Sequence, residues 1–229
     1  MKKSNYVLSI ILLVIVIAYT IMVAKIDVKP VGPINPETGV ASEVGFATIN
    51  SSIAKKFEFN STFYKISKYA GYLAFGFIAI YAIMGLAELI KKKNLKDINK
   101  ALYVLVGFYV CVAIVYVLFE LLIINYRPVL MENQLEASYP SSHTMLALCV
   151  CGSSLIVIGH LIKNKKIKVL LNIIAVIMMV LIIVTRFLSG VHWLTDIIGS
   201  IIISTFLLQV FGNILKNLTN EEKPDIVEE

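Results

Sequence analysis

The chain has 229 residues, 58% of them hydrophobic, and a mean hydropathy of +0.83. Soluble domains are about 45–50% apolar even with glycine counted, so the composition excludes an ordinary water-soluble domain. The formal charge of +6 does not point to nucleic acid, because the lysines sit between long apolar runs and not along one amphipathic face.

A membrane helix needs about 20 mostly apolar residues. In chain order, such stretches lie near 6–24, 69–90, 101–125, 144–162, 169–188 and 194–215, which predicts an all-α polytopic bundle of about six transmembrane helices. The first follows Lys2 and Lys3; its apolar run is longer than the core of a signal peptide and no A-x-A-like site follows, so it reads as an uncleaved anchor. The connection 26–68 opens with Pro30, Gly32, Pro33 and Pro36 and turns aromatic through Phe57, Phe59, Phe63 and Tyr64. It is expected to be an interfacial segment that either covers a lipid-binding mouth or simply fills the interface. The next turn, 91–100, carries Lys91, Lys92, Lys93, Lys96 and Lys100, and the turn 163–168 carries Lys163, Lys165, Lys166 and Lys168. Lysine-rich short loops stay on the cytoplasmic side. Both termini are therefore expected inside, with 26–68, 126–143 and 187–193 facing outward. The whole reads as one integral-membrane domain over 1–219 followed by an acidic cytoplasmic tail, 220–229. Cys111, Cys149 and Cys151 lie within apolar runs and read as packing residues, with neither a disulfide nor a metal site.

Ionisable residues at membrane depth are costly, so each is a functional candidate. The outer ends of the last four spans carry Arg127-Pro128, then Tyr139-Pro140-Ser141-Ser142-His143, then Thr185-Arg186, then His192-Trp193-Leu194-Thr195-Asp196. Two arginines present planar donor forks suited to an oxyanion such as phosphate. His192 and Asp196 are four residues apart, so on a helix they share a face, and the carboxylate can take the proton of one ring nitrogen while the other attacks. His143 follows a Pro-Ser-Ser turn at a helix start, where backbone N–H groups favour a phosphate, and its imidazole can protonate a leaving group. Taken singly, either histidine reads as a polar anchor; the combination points to chemistry. Trp193 reads as an interface anchor, and Ser200 and Ser204 as small residues that let helices approach.

These residues resemble the type 2 phosphatidic acid phosphatase superfamily, which includes bacterial undecaprenyl pyrophosphate and phosphatidylglycerophosphate phosphatases. The family motifs are Lys-x6-Arg-Pro, Pro-Ser-Gly-His and Ser-Arg-x5-His-x3-Asp. The third reads Thr185-Arg186-x5-His192-x3-Asp196 here, the second Pro140-Ser141-Ser142-His143, and the first keeps Arg127-Pro128 but has Glu120 in place of lysine. The resemblance spans 120–196 and implies a membrane lipid phosphatase working through a phosphohistidine. On that resemblance His192 is the nucleophile, Asp196 orients it and His143 is the general acid, while Arg127, Arg186, Ser141 and Ser142 hold the phosphate. Glu120 either disables the site, pairs with Arg127, or turns away so that another cation substitutes.

The expected partners are a lipid phosphate and the bilayer, with no nucleic acid. No cofactor is expected, and the absence of a carboxylate cluster in the sequence predicts activity that survives chelation. Alternatives are a phosphotransferase that passes the phosphate to an acceptor other than water, a haem protein using His143 and His192, and a catalytically silent lipid-binding relative.

Overall fold

The structure, a computed structural model, describes residues 3–220 and the side chains of residues 6–219. Lys2 and the acidic tail, Asn220 apart, lie outside it. Among the described residues there are seven α-helices: α1 (Lys3–Lys25), α2 (Ala47–Ala54), α3 (Ser61–Lys92), α4 (Lys100–Leu121), α5 (Ser142–Leu161), α6 (Lys165–Leu188) and α7 (Leu194–Asn220), with a 3-10 turn at Leu95–Asp97. All but α2 are long and apolar enough to cross a membrane, so the chain is an integral membrane protein of the helical class.

Asparagine caps set several boundaries. Asn60, Asn99 and Asn164 each place a side-chain oxygen on the first free N–H groups of α3, α4 and α6, satisfying donors that have no intrahelical partner. The cap at Asn60 explains why α3 starts at Ser61, earlier than its apolar run suggests. Its 32 residues span about 48 Å at 1.5 Å per residue, well beyond the roughly 30 Å hydrocarbon layer, so the helix extends past the membrane boundary.

In lipid, apolar side chains facing outward cost nothing, and helix association relies on close packing and internal hydrogen bonds. The most interior span is α5, with 61% of its apolar stretch inside the protein against 6–39% in the others. Its sequence explains this: Ala147, Cys149, Cys151, Gly152, Ser153 and Ser154 are small and buried, and a Cβ on Gly152 would strike Leu208 of α7. Around it pack α3, α4, α6 and α7, while α1 lies outside against α7. Ser200 and Ser204 do more than let helices approach: Ser200 donates to the Ser141 carbonyl at 2.9 Å and Ser204 to the Met145 carbonyl at 3.2 Å. Large residues such as Leu73, Ile83, Ile114 and Ile177 point outward.

The first connection is a folded buttress and not a loose loop. Lys29 pairs with Val44 and Ile34 with Ala41 across a short ribbon, then α2 follows. The ribbon is pressed onto α1, since a Cβ on Gly45 would overlap the carbonyl of Val23. Gly45 N–H donates to Asn125 at 3.0 Å, Asn50 donates to Thr195 at 2.9 Å and Asn60 N–H to the Ser189 carbonyl at 3.0 Å. The segment therefore backs the start of α7. A second ribbon, unforeseen, joins α4 to α5. Tyr126 pairs with Ala137 and Met131 with Gln134, closed by Glu132 and Asn133, both at positive φ (51° and 62°), the geometry of a tight type I′ hairpin turn. It ends α4 at Leu121 rather than near 125.

Gly45→Ala is expected to cost about 1–3 kcal/mol through overpacking against α1. A thermal-shift measurement in detergent checks this; an unchanged melting temperature would contradict the close approach.

Candidate active site

The polar residues singled out from the sequence meet at one end of the bundle, brought there by four short structures: the Tyr126–Ala137 ribbon, the N-terminus of α5, the C-terminus of α6 and the turn before α7. His192 lies on that turn and not on a helix, as its four-residue spacing to Asp196 had suggested. Trp193 occupies the cap position just before Leu194, and Asp196 sits three residues on, its Oδ2 accepting the Trp193 N–H at 2.9 Å. This is the return half of a capping box. It holds the carboxylate near the imidazole without a helical register.

The expected direct hydrogen bond between the two is absent. His192 Nδ1 stands 3.6 Å from Asp196 Oδ2, and Ser138, from the end of the ribbon, sits between them. Its hydroxyl lies 3.1 Å from His192 Nδ1 and is hydrogen-bonded to Asp196 Oδ2. His192 Nε2 is buried and has no hydrogen-bond partner. Burial, reinforced by the Arg186 and Arg127 guanidinium groups, holds His192 well below the usual imidazole range of about 6.5. The ring is neutral at ordinary pH, as a nitrogen nucleophile must be.

Arg186 is fully buried near the end of α6. It reaches Ser67 Oγ at 3.3 Å and His143 Nδ1 at 3.4 Å, and its Cζ stands 5.3 Å over the Tyr64 ring. Because guanidinium only donates, His143 Nδ1 accepts, and its ring proton belongs on Nε2. Among the described residues no carboxylate lies within ion-pair distance of Arg186. Arg127, by contrast, pairs with Glu136 at 3.1 Å. Glu120 is exposed and lines a small crevice with Tyr116, Tyr139 and Ser142. Of the three fates considered for it, a pairing with Arg127 is not the observed one; Glu136 holds that place.

The two serines separate. Ser141 is completely buried, its hydroxyl 3.0 Å from Thr144 Oγ1 and its N–H on the Asp196 carbonyl at 3.2 Å. Its hydroxyl is thus turned inward onto the first turn of α5, while its backbone N–H and its carbonyl, which accepts from Ser200, link α5 to α7. Ser142 stays partly exposed and, with His143, lines a cavity of about 180 Å³ between α3 and α5, walled by Gly71, Tyr72, Phe75 and Tyr116. Trp193 is not an interface anchor: it is buried and donates from Nε1 to the Tyr126 carbonyl at 2.7 Å, tying the ribbon to α7. Sequence reasoning missed Ser138, Asn125, Ser67 and Tyr64. Ser138 stands two residues before Pro140, immediately ahead of the stretch singled out from Tyr139 to His143, whereas Ser67 and Tyr64 lie where a loop was expected. Among the described residues no group of three or more His, Cys, Asp or Glu side chains is arranged to hold a metal ion.

The sequence model of the PAP2 superfamily matches residues 48–220, more than half of the chain. The chain belongs to the PAP2 superfamily. Membership supports, in general terms, a phosphatase of membrane lipids, with a lipid substrate and the bilayer as its surroundings. No curated protein matches the chain. A crystal structure described as the first transmembrane PAP2 type phosphatidylglycerolphosphate phosphatase from Bacillus subtilis is similar, with a TM-score of 0.46 and 22% identity. The match covers 78% of this chain and 96% of that one. Within the PAP2 match fall all the residues just described, including the turn that carries His192.

A depressed His192 has a definite consequence for stability. Below about pH 6.5 the unfolded chain takes up a proton at this residue that the folded state refuses, so stability is lost as pH falls through that window. The melting temperature is expected to drop between about pH 7.5 and pH 5, and to drop less in His192→Gln. Identical slopes in the two proteins would contradict the burial of the neutral ring.

Proposed function

We propose that the chain is a lipid phosphatase in which His192 forms a phosphohistidine. The observation that carries this reading is Arg186: a fully buried guanidinium whose neighbours are Ser67, His143 and the face of Tyr64, all neutral. A buried charge without a counter-charge is expensive, and an anion entering beside His143 supplies it. A phosphoryl group held there lies in the neighbourhood of His192 Nε2, the one ring nitrogen of that residue left without a partner.

On this reading His143 takes up a proton as the phosphate anion enters beside it, Nε2 attacks phosphorus as the bond to the leaving oxygen breaks, and His143 gives that oxygen the proton and returns to the neutral ring. Water then attacks the phosphohistidine, its proton passing to His143 as the N–P bond breaks. Arg127 and Arg186 bind the equatorial oxygens, helped by Ser142; Ser141 serves the helix start that positions them. The chemistry asks for no metal. The substrate is amphiphilic: undecaprenyl pyrophosphate, phosphatidic acid or phosphatidylglycerophosphate. The lysine-rich turns at the opposite end of the spans support an extracytoplasmic site with both termini cytoplasmic, and an outward site favours the first of these lipids.

Phosphate release from a panel of these lipids in detergent tests the reading. Arg186→Ala is expected to lower kcat by about 10²–10³-fold, as loss of one oxyanion donor does, and His192→Ala to abolish turnover. Wild-type activity is expected to persist in EDTA. Normal rates in both variants, or an activity lost to EDTA and restored by a divalent metal, would defeat it. Glu120, where the family carries lysine, favours a second reading as a silent lipid-binding relative; that reading predicts no turnover by the wild type on any lipid of the panel and a gain of activity in Glu120→Lys.

A further inference from the structure

Ser138 occupies the place where a direct histidine–carboxylate contact was expected. It is 1% exposed, and its backbone N–H is fixed by the Asn125 carbonyl at 2.9 Å. The Asn125 side chain in turn accepts from Gly45 N–H in the buttress at 3.0 Å. The serine is thus held from the ribbon side, while Asp196 is held from the α7 side by the Trp193 N–H. His192 Nδ1 is 3.6 Å from Asp196 Oδ2, too far for a hydrogen bond, but 3.1 Å from Ser138 Oγ.

With Asp196 ionised, the proton count leaves one arrangement. An ionised carboxylate only accepts, and a serine has one proton, so that proton points at Asp196 Oδ2. Oγ must then accept from His192, which puts the ring proton on Nδ1. The chain runs Nδ1–H to Oγ, then Oγ–H to Oδ2. It leaves the lone pair on Nε2, the atom that is buried and unpartnered. Replacing the hydroxyl by hydrogen, as in Ser138→Ala, removes both side-chain links.

We propose that Ser138 is a positioning residue for His192, its hydroxyl relaying the ring's Nδ1 proton to Asp196 so that Nε2 is the free nucleophile. The proposal rests on the reading of His192 given above. It assigns to Ser138 the orienting contact that the four-residue spacing assigned to Asp196 alone, and makes Asp196 act through the serine. When the ring becomes positively charged on phosphorylation, the same chain delivers the carboxylate's charge to it, so the hydroxyl matters for turnover and not for lipid binding.

The experiment measures kcat and KM for phosphate release with one lipid of the panel, on detergent-purified full-length protein, for Ser138→Ala, Asp196→Asn, the double variant and His192→Ala. Ser138→Ala is expected to lose about 10–100-fold in kcat, the usual cost of removing a partner that orients a functional histidine, with KM within about twofold. In the Asp196→Asn background the same change is expected to cost less than about threefold, because the relay is already cut. Ser138→Thr and Ser138→Val add equal bulk and differ in the hydroxyl, so Thr is expected to exceed Val by about 10-fold or more in kcat whatever the added methyl costs both. A kcat for Ser138→Ala within about twofold of wild type, a loss that multiplies with that of Asp196→Asn, or equal Thr and Val variants would overturn the relay while leaving an inactive His192→Ala in support of the phosphatase reading. Full activity in His192→Ala would remove both.

Discussion

The carboxylate of Asp196 is fully buried at one end of a bundle that offers it little solvent. Such a charge is tolerable only where donors occupy its oxygens. Oδ2 takes the Trp193 N–H and the Ser138 hydroxyl, and the backbone carbonyl of the same residue takes the Ser141 N–H and the Ser200 hydroxyl. One residue therefore fastens the turn bearing His192, the ribbon bearing Arg127 and the start of α5 bearing His143. The buttress between α1 and α3 repeats the pattern from the other side, with Asn50 bonded to Thr195 and Asn125 placed beside Asp196. Among the described residues Asp196 Oδ1 has no hydrogen-bond partner, so the site is fastened through Oδ2 and the backbone carbonyl of this one residue.

The bilayer sets the rest. Where the surroundings are as apolar as leucine, burying leucine gains little, and helices associate through close approach and hydrogen bonding. The interior of this protein is built accordingly. Tyr81 reaches Ser154 and Ser153 donates to Tyr109 across the α3–α5 and α4–α5 contacts, while Gly152 admits Leu208. α5 is central because its small residues allow it to be, and its N-terminus carries His143 into the middle of the site for the same reason.

How much of this was legible depended on the range of the signal. The six spans announce themselves by length and hydropathy, and their order suffices to bring Arg127, His143, Arg186 and His192 to one end. The boundaries moved where a short-range signal went unread: Asn60 caps α3 at Ser61, and the positive φ of Glu132 and Asn133 closes a ribbon that no run of β-branched residues advertised. Ser138 was beyond reach for a different reason. The i, i+4 spacing of His192 and Asp196 is the same whether the two touch or hold a third side chain between them, and only the path of the ribbon decides. Trp193 was misread because an aromatic at a membrane boundary has the same sequence signature whether it faces lipid or caps a helix.

Glu120 bears on the balance of charge in the candidate site. With no lysine at that position the cations left are Arg127 and Arg186, and they are not equivalent. Arg127 is held by Glu136, whose side chain is 44% exposed, and an ion pair open to solvent on one side is worth about 0–1 kcal/mol. An incoming phosphate displaces it at little cost. Arg186 has nothing to release, since its contacts are a hydroxyl, an imidazole and an aromatic face. Its desolvation has already been met by the fold, and any anion that reaches it gains the full attraction of a dry guanidinium. On the proposed reading, then, affinity for phosphate resides in Arg186, buried beside His143. Glu120 is exposed and lines the crevice with Tyr139 and Ser142, outside that set of contacts.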